Sequence, residues 1–520
     1  MHSRSTQSWP MTCQRASMSV NTIGLLFLAA IVSSAELYGS SLVKSFFVPI
    51  VLSSTGLGGS DYSSELTLAN RSAQEVAVEF TYTAAFGEGS GVASDVLRAG
   101  QQRIVPDTIA YLRQLGLPIP EAGNQGGTLR VRLSGLSSPQ EASVLVRTTT
   151  AVPEGRAGLS YAGVPLESLL EGPAYLCGLR QNATDRSNLA LQNAGDPGSG
   201  DITLRLRVFS GDPAAPASTD LPDIVIPPGG FYQINEVLSS NGLSLASGYV
   251  RVERVSGLAP YYAYAVINNQ LSSDGSFVAP VPEDSQTSPY RLRVPLEPGF
   301  WPNSSISEWV LTNLSSSDMQ LRLYSAAEPF LYGDPQSYTS AWLRPGEQKI
   351  LRSDRGFDFV PWGSPVVIDS EMYYMGLSHL YVGVRVLGRE RDLSYGFSYA
   401  GIPSERESQK EAWLFGLQQN SETRTDLVLV SLVDEATPFD IELFDGETGL
   451  RAGIVQNVGV DSRSSLQLNS LLATYAPGVT QGYARVVAKQ AGPFVAHAII
   501  LDGAQAGERS GDGSVIYSSP

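Results

Sequence analysis

The stretch GLSYAGVP at residues 158–165 occurs a second time, as GFSYAGIP at residues 396–403. The stretch AYLCGLRQN at residues 174–182 is repeated in the same way, as AWLFGLQQN at residues 412–420. Both second copies begin 238 residues after the first, so the two matches are in register. Two matches at one long offset indicate an internal duplication of the chain.

Each half of the duplicated block contains a shorter repeat. A polar lead-in precedes a strand of alternating apolar residues that usually ends in Asn, and this pattern occurs four times. The copies are SDYSSELTLAN from Ser60, NATDRSNLALQN from Asn182, NSSISEWVLTN from Asn303 and NSETRTDLVLVS from Asn420. Alternation with period two predicts strands with one buried face. A second strand, a tight turn such as RPGE at 344–347, and two closing strands follow in each copy.

The four copies predict an all-β chain of four tandem antiparallel β-sandwich domains of the immunoglobulin-like type, arranged as a duplicated pair. The 51 Gly and 32 Pro residues are spread along the chain, which suits many short strands joined by turns. We expect a signal peptide at residues 1–35 and sandwiches at residues 36–165, 174–282, 290–403 and 412–520.

The N-terminal sequence is typical of an export signal. Arg4 and Arg15 precede an apolar run at 23–32, and small residues follow up to Ala35, where we expect cleavage. The run is about half the length that a membrane span requires. An uncleaved N-terminal anchor is the alternative. After cleavage we expect no stable membrane span and a secreted or cell-surface protein.

The composition is that of a folded, acidic protein. Hydrophobic residues make up 42% and charged residues 17% of the chain, and the net charge is −16. Binding to nucleic acid needs clustered Lys and Arg, so this charge argues against a nucleic-acid partner.

These features together resemble secreted bacterial proteins built of tandem immunoglobulin-like sandwiches. The resemblance rests on the predicted signal peptide, the Ser/Thr-rich lead-in to an L-x-L-x-N strand, and the Pro-Gly turn, and it covers the whole mature chain. It implies an extracellular or surface role and carries over no catalytic residue.

Few residues in the sequence could support catalysis or metal binding. The His and Cys residues of the mature chain are only His379, His497 and Cys177, which are too few for a usual zinc site. Neither histidine lies near a nucleophile motif, as a catalytic triad would require. Phe415 aligns with Cys177, which predicts a core position. We therefore predict no catalytic residue, no metal and no cofactor.

Two carboxylate patterns are candidate sites. Asp369 and Glu371 lie two residues apart on one predicted strand and therefore on one face, where they would form a candidate hydrolase pair; a solvated strand face is the preferred interpretation. Asp-Gly-Ser occurs at 274–276 and again at 512–514, at the same 238-residue offset. Asp-Gly is a favoured hairpin turn, and a calcium site is the alternative.

Aromatic residues are concentrated in the third copy. It holds four of the six Trp residues, Trp301, Trp309, Trp342 and Trp362. Trp309 aligns with leucines in the other copies and is predicted to be core. Exposed aromatic faces bind sugar rings or protein surfaces. Our candidate ligand-binding residues are Trp342, Trp362, Tyr373 and Tyr374.

The sequence thus predicts a secreted or cell-surface, non-enzymatic structural or adhesive interaction protein, with an extracellular protein or a polysaccharide as partner. One alternative is a carbohydrate-binding protein that uses the aromatic residues of the third copy. A less favoured alternative is a carboxylate-dependent hydrolase, which would need a cleft holding two carboxylates roughly 5–10 Å apart.

Overall fold

The fold is all-β with antiparallel sheets, as the alternating apolar pattern predicts. The computed structural model describes residues 42–56, 59–284, 291–294, 305–331, 334–352, 365–370, 379–390, 393–403, 407–505 and 507–518. The predicted signal peptide at 1–35 lies outside the described residues. In the part of the chain that the structure describes, no helix has the length and apolar character needed to cross a membrane.

Strands pair with one another inside four stretches of the chain, which we call segments 1 to 4: residues 42–165, 174–282, 291–403 and 411–517. Segment 1 contains β1 (Leu42–Thr55), β2 (Asp61–Asn70), β3 (Val76–Phe86), β4 (Gly91–Leu97), β5 (Gln102–Val105), α1 (Thr108–Gln114), β6 (Gln125–Leu136), β7 (Ala142–Val152), β8 (Gly155–Ala162) and β9 (Val164–Pro165). Segment 2 contains β10 (Ala174–Arg180), β11 (Asp185–Asn193), β12 (Ile202–Ser210), β13 (Ser218–Asp220), β14 (Ile224–Ile226), β15 (Phe231–Ile234), β16 (Ser247–Ser256), β17 (Tyr261–Asn269), β18 (Gly275–Val278) and β19 (Val281–Pro282).

The second half of the chain contains the other two segments. Segment 3 contains β20 (Arg291–Val294), β21 (Ser305–Asn313), β22 (Met319–Ser325), β23 (Phe330–Leu331), β24 (Asp334–Pro335), β25 (Thr339–Leu343), β26 (Gln348–Arg352), β27 (Val366–Ser370), β28 (Leu380–Glu390), β29 (Leu393–Ala400) and β30 (Ile402–Pro403). Segment 4 contains β31 (Glu411–Gln418), β32 (Thr423–Ser431), β33 (Thr437–Asp445), β34 (Arg451–Val460), β35 (Ser465–Leu468), α2 (Leu471–Tyr475), β36 (Gln481–Ala488), β37 (Phe494–Asp502) and β38 (Gly513–Tyr517).

One strand order recurs in the segments. In segment 2 the two sheets run β13-β12-β16-β10-β19 and β15-β11-β17-β18; in segment 4 they run β34-β33-β36-β31 and β35-β32-β37-β38. Segment 1 has the same two layers, but β1 pairs with both β6 and β2 and joins them into one nine-stranded sheet. Two packed layers of this kind are consistent with β-sandwiches. The immunoglobulin-like type and the origin of the segments by duplication stay predictions.

Apolar side chains alternate along the strands and fill the space between the layers. In β3, for example, Val76, Val78 and Phe80 are buried whereas Ala77 and Glu79 are exposed. Burial of each such large apolar side chain contributes about 1.5–3 kcal/mol. Four of the cores formed by the described residues extend across segment borders: one joins segments 1 and 2, one joins segments 3 and 4, and two join segments 1 and 4.

The last strand of the second layer of each segment lies at a common centre. These strands are β8, β18, β29 and β38, and each contacts two of the others, in the cyclic order β8, β18, β29, β38. The described part of the chain, which belongs to one compact unit, therefore has a centre lined by all four segments. The residues at this centre form the candidate site.

Candidate functional site

Two aspartates from distant parts of the chain meet at the centre. Asp274 directly precedes β18 and Asp512 directly precedes β38, and their side chains are 0% and 5% exposed. The two carboxyl groups are hydrogen-bonded to each other. They are the aspartates of the two Asp-Gly-Ser motifs. The motifs do lie at the ends of hairpin loops, but their side chains connect segments 2 and 4.

Backbone amides surround the carboxyl group of Asp274. The N–H of Gly275 donates to Oδ1 at 2.8 Å, and the N–H of Gly396 donates to Oδ2 at 3.1 Å. Gly396 is the first residue of GFSYAGIP and belongs to β29 of segment 3. Through this bond, Asp274 connects segment 2 to segment 3 as well as to segment 4.

Asp512 is held by a matching pair of amides. The N–H groups of Gly513 and Gly158 donate to its Oδ1 and Oδ2, each at 2.9 Å. Gly158 is the first residue of GLSYAGVP and belongs to β8 of segment 1. The contacts of the two aspartates are thus reciprocal, and the repeated motifs meet each other at the centre.

Glycine is required at both amide donors because the neighbouring strand lies against them. A Cβ atom at Gly158 would be 2.1 Å from the carbonyl oxygen of Thr148, and one at Gly396 would be 1.9 Å from that of Val386. Real Cβ atoms do not approach backbone oxygens so closely. This close strand packing explains why the two repeated stretches both begin with glycine.

Buried guanidinium groups flank the aspartates. Arg385 attracts the charge of Asp274, and Arg147 attracts that of Asp512. Nη1 of Arg385 lies 3.0 Å from Oδ1 of Asp185, and its Nε donates to Oγ of Ser276 at 2.9 Å. These partners fix the guanidinium beside the pair, where it partly offsets the cost of burying negative charge.

Burial dominates the acidity of the pair. It raises the pKa of Asp274 to about 7, against the lowering effects of Arg385 and the amide donors. Burial and the charge of Asp274 together raise the pKa of Asp512 well above its ordinary range. Two adjacent carboxyl groups cannot both ionise cheaply, so at neutral pH the pair holds a proton between them.

The enclosure of the pair limits its chemistry. Carboxyl pairs that share a proton can act as acid and base, but such catalysis requires contact with a substrate. Here both side chains are enclosed, and their oxygens already accept amide hydrogen bonds. Within the described ranges, no three His, Cys, Asp or Glu side chains come together in a group that could hold a metal ion.

The second pair of repeated stretches forms a different junction. The N–H of Gly178 in AYLCGLRQN donates to Oε1 of Gln348 in segment 3, and the N–H of Gly416 in AWLFGLQQN donates to Oε1 of Gln102 in segment 1, both at 2.7 Å. Both glycines have positive φ, +81° and +85°. The repeated stretches therefore join segment 2 to segment 3 and segment 4 to segment 1 in the same way.

Cys177 and Phe415 precede these glycines and are both buried, as predicted for a core position. Burial raises the pKa of the Cys177 thiol far above its ordinary value, which makes the thiolate inaccessible at neutral pH. His497 is buried on β37, where its partner across the sheet is Val428. His497 thus occupies an ordinary position within a paired strand.

Of the four candidate ligand-binding aromatic residues, the structure describes Trp342 only. Trp342 lies on β25 with 51% of its surface exposed, and Tyr338, just before the strand, is 41% exposed. Trp362, Tyr373 and Tyr374 lie outside the described residues. Trp309 is 2% exposed, so its predicted core position is confirmed.

The interpretation of Asp369 as part of a solvated strand face is wrong. Asp369 is buried and forms a two-pronged ion pair with Arg322, with N–O distances of 2.8 and 3.1 Å. The hydroxyl of Tyr324 donates to the same carboxylate at 2.8 Å. The carboxylate is thus engaged inside segment 3. Its proposed companion Glu371 lies outside the described residues.

Sequence reasoning did not identify the aspartate pair as a site. The available signal was that Asp-Gly-Ser recurs at the same 238-residue offset as the two longer repeats. The offset shows that the motifs are equivalent but not that they touch. Comparisons of the chain with protein-family models, with curated protein sequences and with solved structures gave no significant match.

Proposed function

We propose that this chain is a secreted or cell-surface protein with a structural or adhesive role and no catalysis of its own. The observation that carries the proposal is how the recurring polar groups are used. Asp274 and Asp512 bind each other and amides of other segments, and Gln102 and Gln348 bind the glycines of other segments. Groups that could serve chemistry are instead engaged in holding four segments together, as a rigid display or spacer module requires.

The surface available to a partner supports an interaction role. Large apolar side chains are exposed on strands of three segments, including Val92 of β4, Val225 of β14 and Ile454 of β34. Scattered single apolar residues are common on any surface, so these positions define where a partner could bind and do not identify it.

The proposal is tested by combining binding with activity measurements. The purified chain should bind a defined extracellular protein or polysaccharide saturably, while releasing no product from a panel of polysaccharides and peptides. Asp274→Asn should leave that binding unchanged in protein that is folded. Turnover of any substrate that is lost in Asp274→Asn, with folding intact, would contradict a non-enzymatic role and favour the hydrolase.

A second candidate function is carbohydrate binding, favoured by the exposure of Trp342 and Tyr338. Residues 338, 340 and 342 alternate and therefore lie on one face of the sheet at β25. Two aromatic residues on one exposed face can stack on successive sugar rings. This arrangement is compatible with an extracellular partner that is a polysaccharide.

Tryptophan fluorescence distinguishes the two candidates. A saturable change with a soluble polysaccharide that is lost in Trp342→Ala, but kept in the control Tyr232→Ala at a comparably exposed site of segment 2, would place carbohydrate binding first. No change across the panel, in protein of native stability, would leave the structural or adhesive role with a protein partner.

A further inference from the structure

The central aspartate pair differs from the other junctions because it depends on a proton. The Gln102–Gly416 and Gln348–Gly178 contacts join neutral groups. Two facing carboxyl groups can form a hydrogen bond only while at least one of them is protonated, because an ionised carboxylate has no donor. The same contact becomes repulsive when both groups are ionised.

The position of the pair gives this proton a structural consequence. Asp274 belongs to segment 2 and Asp512 to segment 4, and their remaining contacts reach β29 of segment 3 and β8 of segment 1. All four segments therefore meet at one pair of side chains. Side chains pack tightly against the glycines that follow the two aspartates: a Cβ atom at Gly275 would lie 2.8 Å from the side chain of Leu159, and one at Gly513 would lie 2.6 Å from the ring of Phe397.

We propose that Asp274 and Asp512 form a pH-sensitive latch, in which a shared proton holds the four central strands together and its loss at rising pH loosens them. The latch operates within the intact chain and requires no ligand other than the proton. It extends beyond the structural or adhesive role, since it makes the rigidity of the molecule depend on the pH of its surroundings.

Charged and titratable groups from every neighbouring element bear on this proton. Arg385 on β28 and Arg147 on β7 favour ionised aspartate. Their own carboxylate partners reduce that effect: Asp185 and Glu308 lie beside Arg385, and Glu65 lies beside Arg147. The hydroxyls of Tyr395 on β29 and Tyr62 on β2 also lie within electrostatic range of the pair, and Tyr395 donates to Glu154 at 3.2 Å.

The direction of the pH effect follows from these surroundings. An unfolded aspartate has a pKa of about 3.9. In the folded protein, burial as the main cause raises the pKa of Asp274 to about 7 and raises the pKa of Asp512 well above its ordinary value. The stabilisation is therefore complete below about pH 4, and it is lost as pH rises through the folded values.

The first test is the pH dependence of unfolding of the full-length chain by urea. For each proton that the folded state holds and the unfolded state releases, the equilibrium constant of unfolding rises about tenfold as pH increases by one unit. Between pH 5 and 7 we expect the wild-type constant to rise about tenfold per unit more steeply than that of Asp512→Asn, which cannot ionise at this position. Asp201→Asn, at an exposed site, is the matched control and should retain the wild-type slope.

The amide of Asn has one acceptor oxygen where Asp512 has two, so one glycine N–H loses its partner in the variant. The free energy of unfolding of Asp512→Asn is therefore lower than that of the wild type at every pH. This loss shifts the curve without changing its slope, and the slope is the quantity compared. Equal slopes in the wild type and Asp512→Asn would overturn the latch.

Two measurements on the wild-type chain keep the proposal testable if the variants do not fold. Unfolding at pH 7 in weakly buffered solution should release about one proton or more, detected with a pH indicator, and no release would overturn the proposal.

The second measurement is hydrogen exchange followed by mass spectrometry. After correction for intrinsic exchange, the opening equilibrium constant of β8 and β29, which carry Gly158 and Gly396, should be at least tenfold larger at pH 9 than at pH 6. An unchanged opening, with β3 as the reference peptide, would mean that no strand separation follows from deprotonation.

Discussion

The backbone N–H of Gly416 donates a 2.7 Å hydrogen bond to Oε1 of Gln102, although the two residues are 314 positions apart in the chain. The equivalent bond joins Gly178 to Gln348, 170 positions apart. In each case a glutamine from the turn-plus-strand element of one segment binds the repeated stretch of another. The described part of the molecule is thus held together by side chains that the repeats place at its internal junctions.

Removal of the glutamine should weaken the junction. In Gln102→Ala the N–H of Gly416 loses its acceptor at a buried site, and an unsatisfied buried donor costs about 1–3 kcal/mol. We expect the free energy of unfolding, measured by urea denaturation, to fall by that amount. Gln456→Ala, on the exposed face of β34, is the control and should change it little. A cost for Gln102→Ala no greater than that of the control would show that the bond contributes nothing net.

Alanine at the junction glycines should be costly in a defined order. A Cβ atom at Gly416 would lie 2.9 Å from Leu145, and one at Gly178 would lie 3.3 Å from Val310. Gly116→Ala is the control, because its φ is +100° but no atom lies within 4 Å of the added carbon. Gly116→Ala should cost about 1–2 kcal/mol from backbone strain alone, Gly178→Ala somewhat more and Gly416→Ala the most. Thermal denaturation measures the loss of stability in each variant and so gives the order. Equal losses in the three variants would exclude a role for close packing at the two junction glycines.

The buried ion pair between segments 2 and 3 should tolerate one replacement and not another. Arg180 Nη1 lies 2.5 Å from Glu308 Oε2, whereas the equivalent Gln418 donates from Nε2 to Glu65 at 2.7 Å. Arg180→Gln keeps a donor for the carboxylate, so we expect a smaller loss of stability than in Arg180→Leu. The leucine variant leaves Glu308 short of one buried partner, which costs about 3–5 kcal/mol. Equal losses in urea denaturation would mean that the junction does not depend on a donor at this position.

Two tryptophans of segment 3 should respond differently to truncation. Trp309 is 2% exposed, and its replacement by alanine should cost about 3–5 kcal/mol. Trp342 is 51% exposed on β25, and Trp342→Ala should change the unfolding free energy by less than about 1 kcal/mol. Calorimetry of the two variants checks the contrast. A large loss in Trp342→Ala would mean that this side chain is needed for the fold and is not available to a ligand.

Much of the fold follows from local sequence patterns. The alternation in VAVEFTYT from Val76 predicts a strand with one buried face, and β3 has that pattern. Trp309 could be assigned to the core because leucines occupy the aligned positions. Such predictions succeed because strand alternation and core volume are local properties, which the nearest residues in the sequence largely determine.

The candidate site could not be predicted in this way. Alternation predicts a solvated strand face at Asp369, but Arg322 and Tyr324 contact its carboxylate inside segment 3. The Asp-Gly-Ser motifs predict hairpin turns, and their aspartates do lie at the ends of hairpin loops. Their side-chain partners come from segments far away in sequence, and no local pattern encodes which turns meet.

The sequence by itself determined the all-β class, the recurrence of one strand pattern and the residues at which the repeats coincide, because these depend on spacing along the chain. Only the tertiary structure decided that Asp274 meets Asp512 and that the repeated glycines serve as donors between segments. The physical reason is that the energy of a buried carboxyl group depends on every group around it. Segments 1 and 3 supply hydrogen-bond donors to these two side chains, in addition to the donors from their own segments 2 and 4.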